Sequence, residues 1–196
     1  MPELDELPDD ELLARMARGD REAFAALYRR RRRDVYRFAL HAGGSASLAQ
    51  DVTQEVFLAL IHDAGKYQPG RAGALAWLLG IARNHVRRGL ARDRRLEPLE
   101  TGEASAGLTP DDPLADLLRR EHLAALHQAL LDLPVRFREA VVLCDLHELS
   151  YEDAAAAIGC AVGTLRSRLH RGRRRIADRL GGDSQAAPLR MAARIL

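Results

Sequence analysis

The sequence predicts an all-α protein that consists of two small helical domains joined by a flexible acidic linker. Three features of the 196-residue chain support this prediction. Hydrophobic residues make up 47% of the chain but aromatic residues only 5%, and alanine and leucine dominate, which favours helices over sheets. Apolar residues recur at helical spacing along most of the sequence. The exception is a central segment that is rich in proline, glycine and acidic residues.

Four helices are predicted in the first domain. Asp20 can cap the second of them, because its side chain can accept hydrogen bonds from the first backbone amides, and Gly43 with Gly44 ends this helix. Ser47 and Gln50 have the spacing of a capping box, which predicts that Ser47 begins the third helix. A loop with three glycines and one proline precedes the fourth. The predicted helices cover 10–18, 21–41, 47–62 and 74–94.

The composition changes between Leu96 and Leu118, where six residues are acidic and none is basic. Such a segment cannot bury enough apolar surface to offset the entropy that is lost when it becomes ordered. We therefore interpret it as a flexible linker between domains. The predicted organisation is an N-terminal extension over 1–9, a first domain over 10–95, the linker over 96–115, a second domain over 116–180 and a tail over 181–196.

The strongest motif of the second domain is a helix-turn-helix. Ser150 and Asp153 have the spacing of a helix start, and a short helix over 151–158 follows. Gly159 suits the left-handed residue of a tight turn, and the next helix begins near Val162. Upstream, Pro134 can occupy the first position of a supporting helix. The apolar residues predicted to form the scaffold are Phe137, Ala140, Val141, Leu143 and Cys144.

The second helix of this motif is coated with arginine. At about 100° per residue, its apolar side should pack inward and its opposite side should face away. Because a solvated helix normally alternates charge signs, six neighbouring arginines favour a polyanion such as the DNA major groove. A merely solvated arginine-rich helix is the alternative. The inward set is Leu165, Leu169, Gly172 and Ile176, and the outward set is Ser167, His170, Arg171 and Arg174, flanked by Arg166, Arg168, Arg173 and Arg175.

The third helix carries a second stripe beside its apolar one. Asp51, Gln54, Glu55 and Leu58 follow the spacing i, i+3, i+4, i+7, which places them on one face. A stripe of this kind is often only solvated, and the pattern alone favours that interpretation. Paired carboxylates can also serve acid–base chemistry, although no metal signature or nucleophile motif accompanies them here.

The glycine-rich loop before the fourth helix presents Lys66, Tyr67 and Arg71. Basic residues beside an exposed aromatic ring suit a single-stranded base that stacks on the ring. A tyrosine in a loop can equally be a packing residue. The fourth helix adds several arginines in its C-terminal half, where positive charge also complements the helix dipole.

Taken together, the strings DVTQEVF, WLLGIARN and LSYEDAAAAIGCAVGTLRSRLHRGRRR resemble the extracytoplasmic-function group of the sigma-70 family. The resemblance covers about 10–95 and 116–180. It implies sigma domain 2 and sigma domain 4, and a non-enzymatic role in promoter-specific transcription initiation. The implied partners are the β′ clamp coiled coil and the β flap of core RNA polymerase, promoter DNA and an anti-sigma protein. A cytoplasmic location is expected, without cofactor, metal, small-molecule substrate or membrane insertion.

The resemblance also implies roles for individual residues. The stripe of Asp51, Gln54, Glu55 and Leu58 corresponds to the polymerase-binding surface. The residues implied at the melted minus-10 element are Lys66, Tyr67, Arg71, Trp77, Asn84, Arg87 and Arg88. The residues implied at the minus-35 duplex are Tyr151, Glu152, Arg166, Ser167, His170, Arg171 and Arg174.

This chain departs from the family pattern at four positions, and these bear on which promoter bases it prefers. Gly80 and Cys144 stand where arginine is common, Arg88 stands where aspartate is common, and Gly172 stands where alanine is usual.

Two other function classes are compatible with parts of the sequence. A dimeric helix-turn-helix repressor would act without polymerase, but it explains neither the third-helix stripe nor the Tyr67 loop. A helical enzyme could use Glu55 with His62 or His85, but the seven histidines are scattered along the chain. The two cysteines, Cys144 and Cys160, make neither a disulfide framework nor a zinc spacing.

Overall fold

The computed structural model describes residues 4–93 and 113–181, which form helices and short connections with no strand among them. The predicted all-α class is therefore confirmed. Most of the predicted linker and tail lies outside the described residues. The α-helices are α1 Asp9–Ala17, α2 Arg21–Gly43, α3 Ala46–Asp63, α4 Ala74–Asp93, α5 Pro113–Leu131, α6 Val135–Val141, α7 Tyr151–Ile158 and α8 Val162–Arg179. Two short 3-10 helices cover Leu4–Glu6 and Ala64–Lys66, and a π-helical turn covers Val142–Leu146.

Local capping residues explain where α2 and α7 begin and end. The Asp20 carboxylate accepts hydrogen bonds from the amides of Glu22 and Ala23 at 2.9 and 3.1 Å, as predicted. Gly44 ends α2 in the left-handed region, with φ of 83°. Ser150 caps α7 and Gly159 ends it with φ of 72°, so both ends of this helix match the prediction.

The capping box predicted for α3 is wrong. Ser45, not Ser47, is the N-cap, and its hydroxyl accepts a hydrogen bond from the amide of Leu48 at 3.3 Å. The physical reason is the left-handed Gly44, because the chain leaves this turn in an extended conformation at Ser45 and is helical from the next residue onward. Similarly, Pro134 is the residue before α6 and not its first residue.

Helices α1–α4 form a first unit around a shared apolar core. Leu12, Leu27, Phe38, Leu60 and Leu78 are fully buried in it. Burial of each such side chain contributes about 1.5–3 kcal/mol before entropy is counted. Helix α3 faces this core with Val52, Val56 and Leu60, which leaves the neighbouring polar stripe at the surface.

The arginine run of α2 also contributes to this unit. Arg30 and Arg31 both pair with the carboxylate of Asp9, at 2.7 and 2.5 Å, and Asp9 is only 9% exposed. These contacts join the start of α1 to α2, so part of the arginine run is structural.

Helices α5–α8 form a second unit in which α8 lies on α6. The predicted inward residues of α8 and the predicted scaffold residues of α6 and the π-helical turn are buried. Gly172 permits the close approach, because a Cβ there would lie 2.7 Å from Val141 Cγ2 and 3.3 Å from the Phe137 carbonyl oxygen. Cys144 is a core residue, and burial raises the pKa of its thiol to about 11.

The two units pack directly on each other through α4 and α7. A Cβ on Gly80 would lie 3.4 Å from the carbonyl oxygen of Ala157, so the helices approach backbone to backbone. This contact gives the departure at Gly80 a physical explanation, since an arginine side chain there would meet the α7 backbone. Within the described ranges, no helix combines the length and apolar character that a membrane crossing requires.

Candidate polymerase and nucleic-acid interfaces

Helix α3 forms one edge of an open apolar groove, and Gln54 and Leu58 of the stripe line it. Asp51, Gln54 and Glu55 are exposed, and Leu58 is 49% exposed despite its apolar side chain. Helix α2 supplies the other edge. The groove is lined by Phe24, Tyr28, Arg32, Arg33, Tyr36, Gln50, Thr53, Gln54, Phe57, Leu58 and Ile61.

Two groove residues were missed by the sequence analysis. Ile61 is 54% exposed and Tyr28 is 38% exposed, which is unusual for large apolar side chains. Ile61 lies three residues after Leu58, so extending the stripe by one helical step would have identified it. Tyr28 lies on another helix, and its ring meets Phe57 edge-on at 4.8 Å between ring centres, a contact that only the fold establishes.

The residues implied at the minus-10 element converge on a second site. Lys66, Tyr67, Arg71, Trp77 and Asn84 line one cavity of about 360 Å³ at the start of α4. This volume falls within the range of about 300–1,000 Å³ that is typical of small-ligand sites. Two further implied residues, the exposed Arg87 and Arg88, lie farther along α4 and do not line the cavity.

Tyr67 is anchored and partly buried, which corrects the expectation of an exposed ring. Its hydroxyl donates to Asp10 Oδ1 at 2.7 Å and also lies 3.1 Å from the carbonyl oxygen of Ala72. Its ring centre is 5.4 Å from that of Trp77. Burial and the hydrogen bond to Asp10 raise the pKa of Tyr67 above its ordinary value. The loop ring is therefore held in place beside a second ring.

Helix α7 forms the opposite wall of this cavity through residues 156–159. One polar contact holds it there, and a second joins α4 to the neighbouring α6. The amide of Gly73, just before α4, donates to Asp153 Oδ1 at 2.8 Å. Arg83 of α4 lies 3.0 Å from the carboxylate of Glu139, which is 2% exposed. Arg83 thus takes part in the contact between units.

The outward face of α8 is exposed as predicted, at Ser167, His170, Arg171 and Arg174. The guanidinium of Arg166 lies 5.3 Å from the ring centre of Tyr151, so these two implied minus-35 residues touch. The start of α7 and the outward face of α8 therefore lie side by side, which is the arrangement a helix-turn-helix requires.

One arginine of α8 does not belong to this face. Arg173 pairs through Nε with Asp145 Oδ2 at 3.0 Å, and Asp145 is 1% exposed. The π-helical turn thus brings a carboxylate from 28 residues away to one of the six arginines that were predicted to favour a polyanion. Arg175 in turn lies 5.1 Å from the ring centre of Phe137.

The chain matches two protein-family models, Sigma-70 region 2 over residues 27–96 and Sigma-70, region 4 over residues 123–176. Three curated relatives are similar over most of its length. The ECF RNA polymerase sigma factor SigE of Mycolicibacterium smegmatis is 37% identical, and the match covers 86% of this chain and 66% of that protein. The RNA polymerase sigma-H factor of Pseudomonas aeruginosa is 34% identical, with 86% and 91% covered. The ECF RNA polymerase sigma factor SigM of Mycobacterium tuberculosis is 37% identical, with 90% and 86% covered.

Two solved structures share the fold. CnrH, in complex with the cytosolic domain of CnrY, superposes with a TM-score of 0.67 at 27% identity, covering 90% of this chain and 99% of that one. The sigma factor RpoE, in complex with the anti-sigma factor NepR from Bartonella quintana, superposes with a TM-score of 0.67 at 25% identity, covering 82% and 98%.

Proposed function

Because the chain belongs to the extracytoplasmic-function sigma factors of the sigma-70 family, which direct RNA polymerase to promoters, we propose how its two units divide this work. Sigma domain 2, over 10–95, docks on the β′ clamp coiled coil and holds the melted minus-10 strand. Sigma domain 4, over 116–180, reads the minus-35 duplex and contacts the β flap. Both steps take place in the cytoplasm, where the polymerase acts.

The docking role of the α3 stripe is supported by its chemistry. Leu58 and Ile61 offer exposed apolar surface, and the neighbouring carboxylates of Asp51 and Glu55 can orient a basic partner. An apolar patch with a charged rim is the usual anatomy of a protein interface. A coiled coil presents the matching shape, because its helix can lie along the groove between α2 and α3.

The convergence of Lys66, Tyr67, Arg71, Trp77 and Asn84 on one cavity is the observation that carries the proposed minus-10 role. Cationic side chains can bind phosphates, aromatic rings can stack on a base, and an amide can pair with a base edge. Taking a base out of the duplex costs a few kcal/mol, and stacking returns about 1–3 kcal/mol per base. Strand capture can therefore drive melting without nucleotide hydrolysis.

The closed packing of the two units must open before both elements are bound. Elements named minus-10 and minus-35 are about 25 base pairs apart, or about 85 Å along the helix axis. A compact chain of this size has a radius of gyration of only about 16 Å. Residues 94–112, which join α4 to α5, can extend to about 60 Å and so permit the separation.

An anti-sigma partner is part of the proposal. RpoE was solved with the anti-sigma factor NepR, and the present chain shares its fold. The apolar groove between α2 and α3 is a surface that such a partner can cover, which would deny it to the polymerase.

The proposed role of Tyr67 predicts a defect in promoter melting. Tyr67→Ala removes a ring that is worth about 1–3 kcal/mol of stacking, so open complexes should become roughly 5–150-fold less stable, with initial duplex binding unchanged. Permanganate reactivity of unpaired thymines measures promoter melting, and filter binding on duplex promoter measures initial binding.

Tyr67→Phe is the matched control, because it keeps the ring and removes only the hydroxyl that is bonded to Asp10. It should melt promoters nearly as well as the parent chain. Equal defects at both steps in Tyr67→Ala, or an equally severe defect in Tyr67→Phe, would refute the stacking role.

A further inference from the structure

Three histidines lie where α2 meets the second unit. His41 of α2 is 3% exposed, and its ring centre is 5.4 Å from that of His127 of α5 at an interplanar angle of 78°. His147, which follows the π-helical turn, has its ring centre 6.0 Å from that of Phe38 of α2. The histidine cluster of His41, His127 and His147 therefore spans the boundary between the units.

Each histidine of the cluster has a buried ring nitrogen that finds no hydrogen-bond partner among the described residues. The atoms are His41 Nδ1, His127 Nε2 and His147 Nε2. Such a nitrogen gains hydration when the units separate, so exposure of these rings favours the open form.

The charges around the cluster are positive. The charge of Arg37 in α2 lowers the pKa of His41 and of His147, and the charge of Arg138 in α6 lowers the pKa of His127. Arg138 also joins the units, since its Nη1 donates to the carbonyl oxygen of Ala42 at 2.8 Å.

The two buried carboxylates described on the facing elements are engaged elsewhere. Glu139 of α6 lies 3.0 Å from Arg83 of α4, and Asp145 of the π-helical turn is paired with Arg173 of α8.

Burial and this positive surrounding keep the rings neutral in the closed arrangement. Burial, followed by the charges of His127 and Arg37, lowers the pKa of His41 to about 3. Burial and Arg37 lower the pKa of His147 to about 3, and burial and Arg138 lower the pKa of His127. Once the units separate and the rings reach water, each returns toward its ordinary pKa of 6.5.

The open form therefore binds more protons than the closed form below pH 6.5. Closure is fully stable above that pH and weakens as the pH falls from 6.5 toward 3, where the closed form would also take up protons. Each histidine raises the opening constant by a factor that approaches tenfold per pH unit well below 6.5. Between pH 6.5 and 5.5 the factor is about fivefold per ring, because half of each open-form ring is already protonated at pH 6.5, so His41 and His147 together give about thirtyfold.

We propose that the histidine cluster makes the closed arrangement acid-sensitive, so that proton uptake releases α5–α8 from α2 and α4 and uncovers the α4 cavity. This proposal rests on the proposed function, in which that cavity takes the melted strand. Acid would thus shift the free chain toward the promoter-competent form before polymerase or DNA is present.

The described contacts on the far side of the interface contain no histidine. They are the approach of Gly80 to Ala157, the hydrogen bond from the Gly73 amide to Asp153, and the pair of Arg83 with Glu139. Trp77, the single tryptophan of the chain, lines the cavity that α7 closes. Its fluorescence therefore reports directly on whether α7 is in place.

The test is a pH titration of the purified full chain between pH 8.0 and 5.0, without polymerase or DNA. The radius of gyration from X-ray scattering and the Trp77 emission maximum are measured together, with far-ultraviolet circular dichroism to monitor helix content. Gly80→Leu, whose side chain would meet the α7 backbone, calibrates the signal of separated units. The expected result is an expansion and a red shift below pH 6.5 at constant helix content.

His41→Gln and His147→Gln should each weaken the pH dependence, and the double variant should weaken it further and leave only the contribution of His127. His62→Gln with His170→Gln, two exposed histidines, is the matched control and should retain the parent transition. Flat signals in the parent chain, an unchanged transition in the double variant, or expansion that coincides with loss of helix would each overturn the proposal. None of these results depends on sigma activity.

Discussion

Replacing Gln54 and Glu55 together by alanine is expected to abolish copurification of the chain with core RNA polymerase. Both side chains are exposed on α3, and alanine is the best helix former, so the fold should be retained. Interface residues at the centre of a docking surface are worth about 2 kcal/mol or more each when truncated. Two such losses correspond to roughly a thousandfold weaker association, which exceeds the range of a pull-down at micromolar concentration.

The matched control is Glu121→Ala with Gln128→Ala, which removes the same two residue types from exposed positions of α5. This variant should bind polymerase like the parent chain. Titration of fluorescently labelled core enzyme gives both affinities, and gel shifts on minus-35 duplex check that DNA binding is spared. Undiminished affinity in the α3 double variant would rule out the stripe as the docking surface.

Asp145→Ala is expected to have the largest effect on stability. Asp145 is 1% exposed and pairs with Arg173 of α8. Removal of the Asp145 carboxylate therefore leaves the Arg173 guanidinium without this partner beside the π-helical turn. Removal of one partner of a fully buried ion pair costs about 3–5 kcal/mol. The Arg173 side chain is 24% exposed and can recover some hydration, so a loss of about 2–3 kcal/mol is expected here.

Urea denaturation measures this loss as a lower midpoint at constant slope. Asp178→Ala, at an exposed position near the end of α8, should change the free energy of unfolding by less than about 0.5 kcal/mol. Asp145→Ala combined with Arg173→Met should regain most of the stability, because no unpaired charge then remains. A normal midpoint in Asp145→Ala would show that the pair does not hold α8 in place.

Local signals in the sequence were sufficient to predict much of the fold. The ends of α7 were predicted to the residue, because Ser150 and Gly159 act through their own backbone and nearest neighbours. The start of α3 was misplaced by two residues, since Ser45 and Ser47 are both good caps and only the turn at Gly44 decides between them. Residue type alone therefore cannot decide which of the two serines is the N-cap.

The candidate sites likewise divide into those that lie within one helix, which the sequence predicts, and those that depend on contacts between distant residues. Helical periodicity placed the α3 stripe and the outward face of α8, because both lie within single helices. Contacts between distant residues gave no sequence signal. The Asp145–Arg173 pair, the α7 wall of the cavity and the histidine cluster all depend on how α5–α8 fold back onto α1–α4. Gly80 stood out as a departure from the family pattern, but only the backbone of Ala157 explains it.

In vitro transcription tests the central claim most directly, with purified chain, purified core polymerase and genomic fragments as templates. The account predicts RNA that starts at discrete positions and requires the chain. It also predicts that Arg171→Ala weakens use of these starts by about 1–3 kcal/mol, or roughly 5–150-fold, if Arg171 reads a base of the upstream element. Arg18→Ala, at an exposed site at the end of α1, should leave them unchanged. Core polymerase that initiates at the same positions with and without the chain would contradict the account.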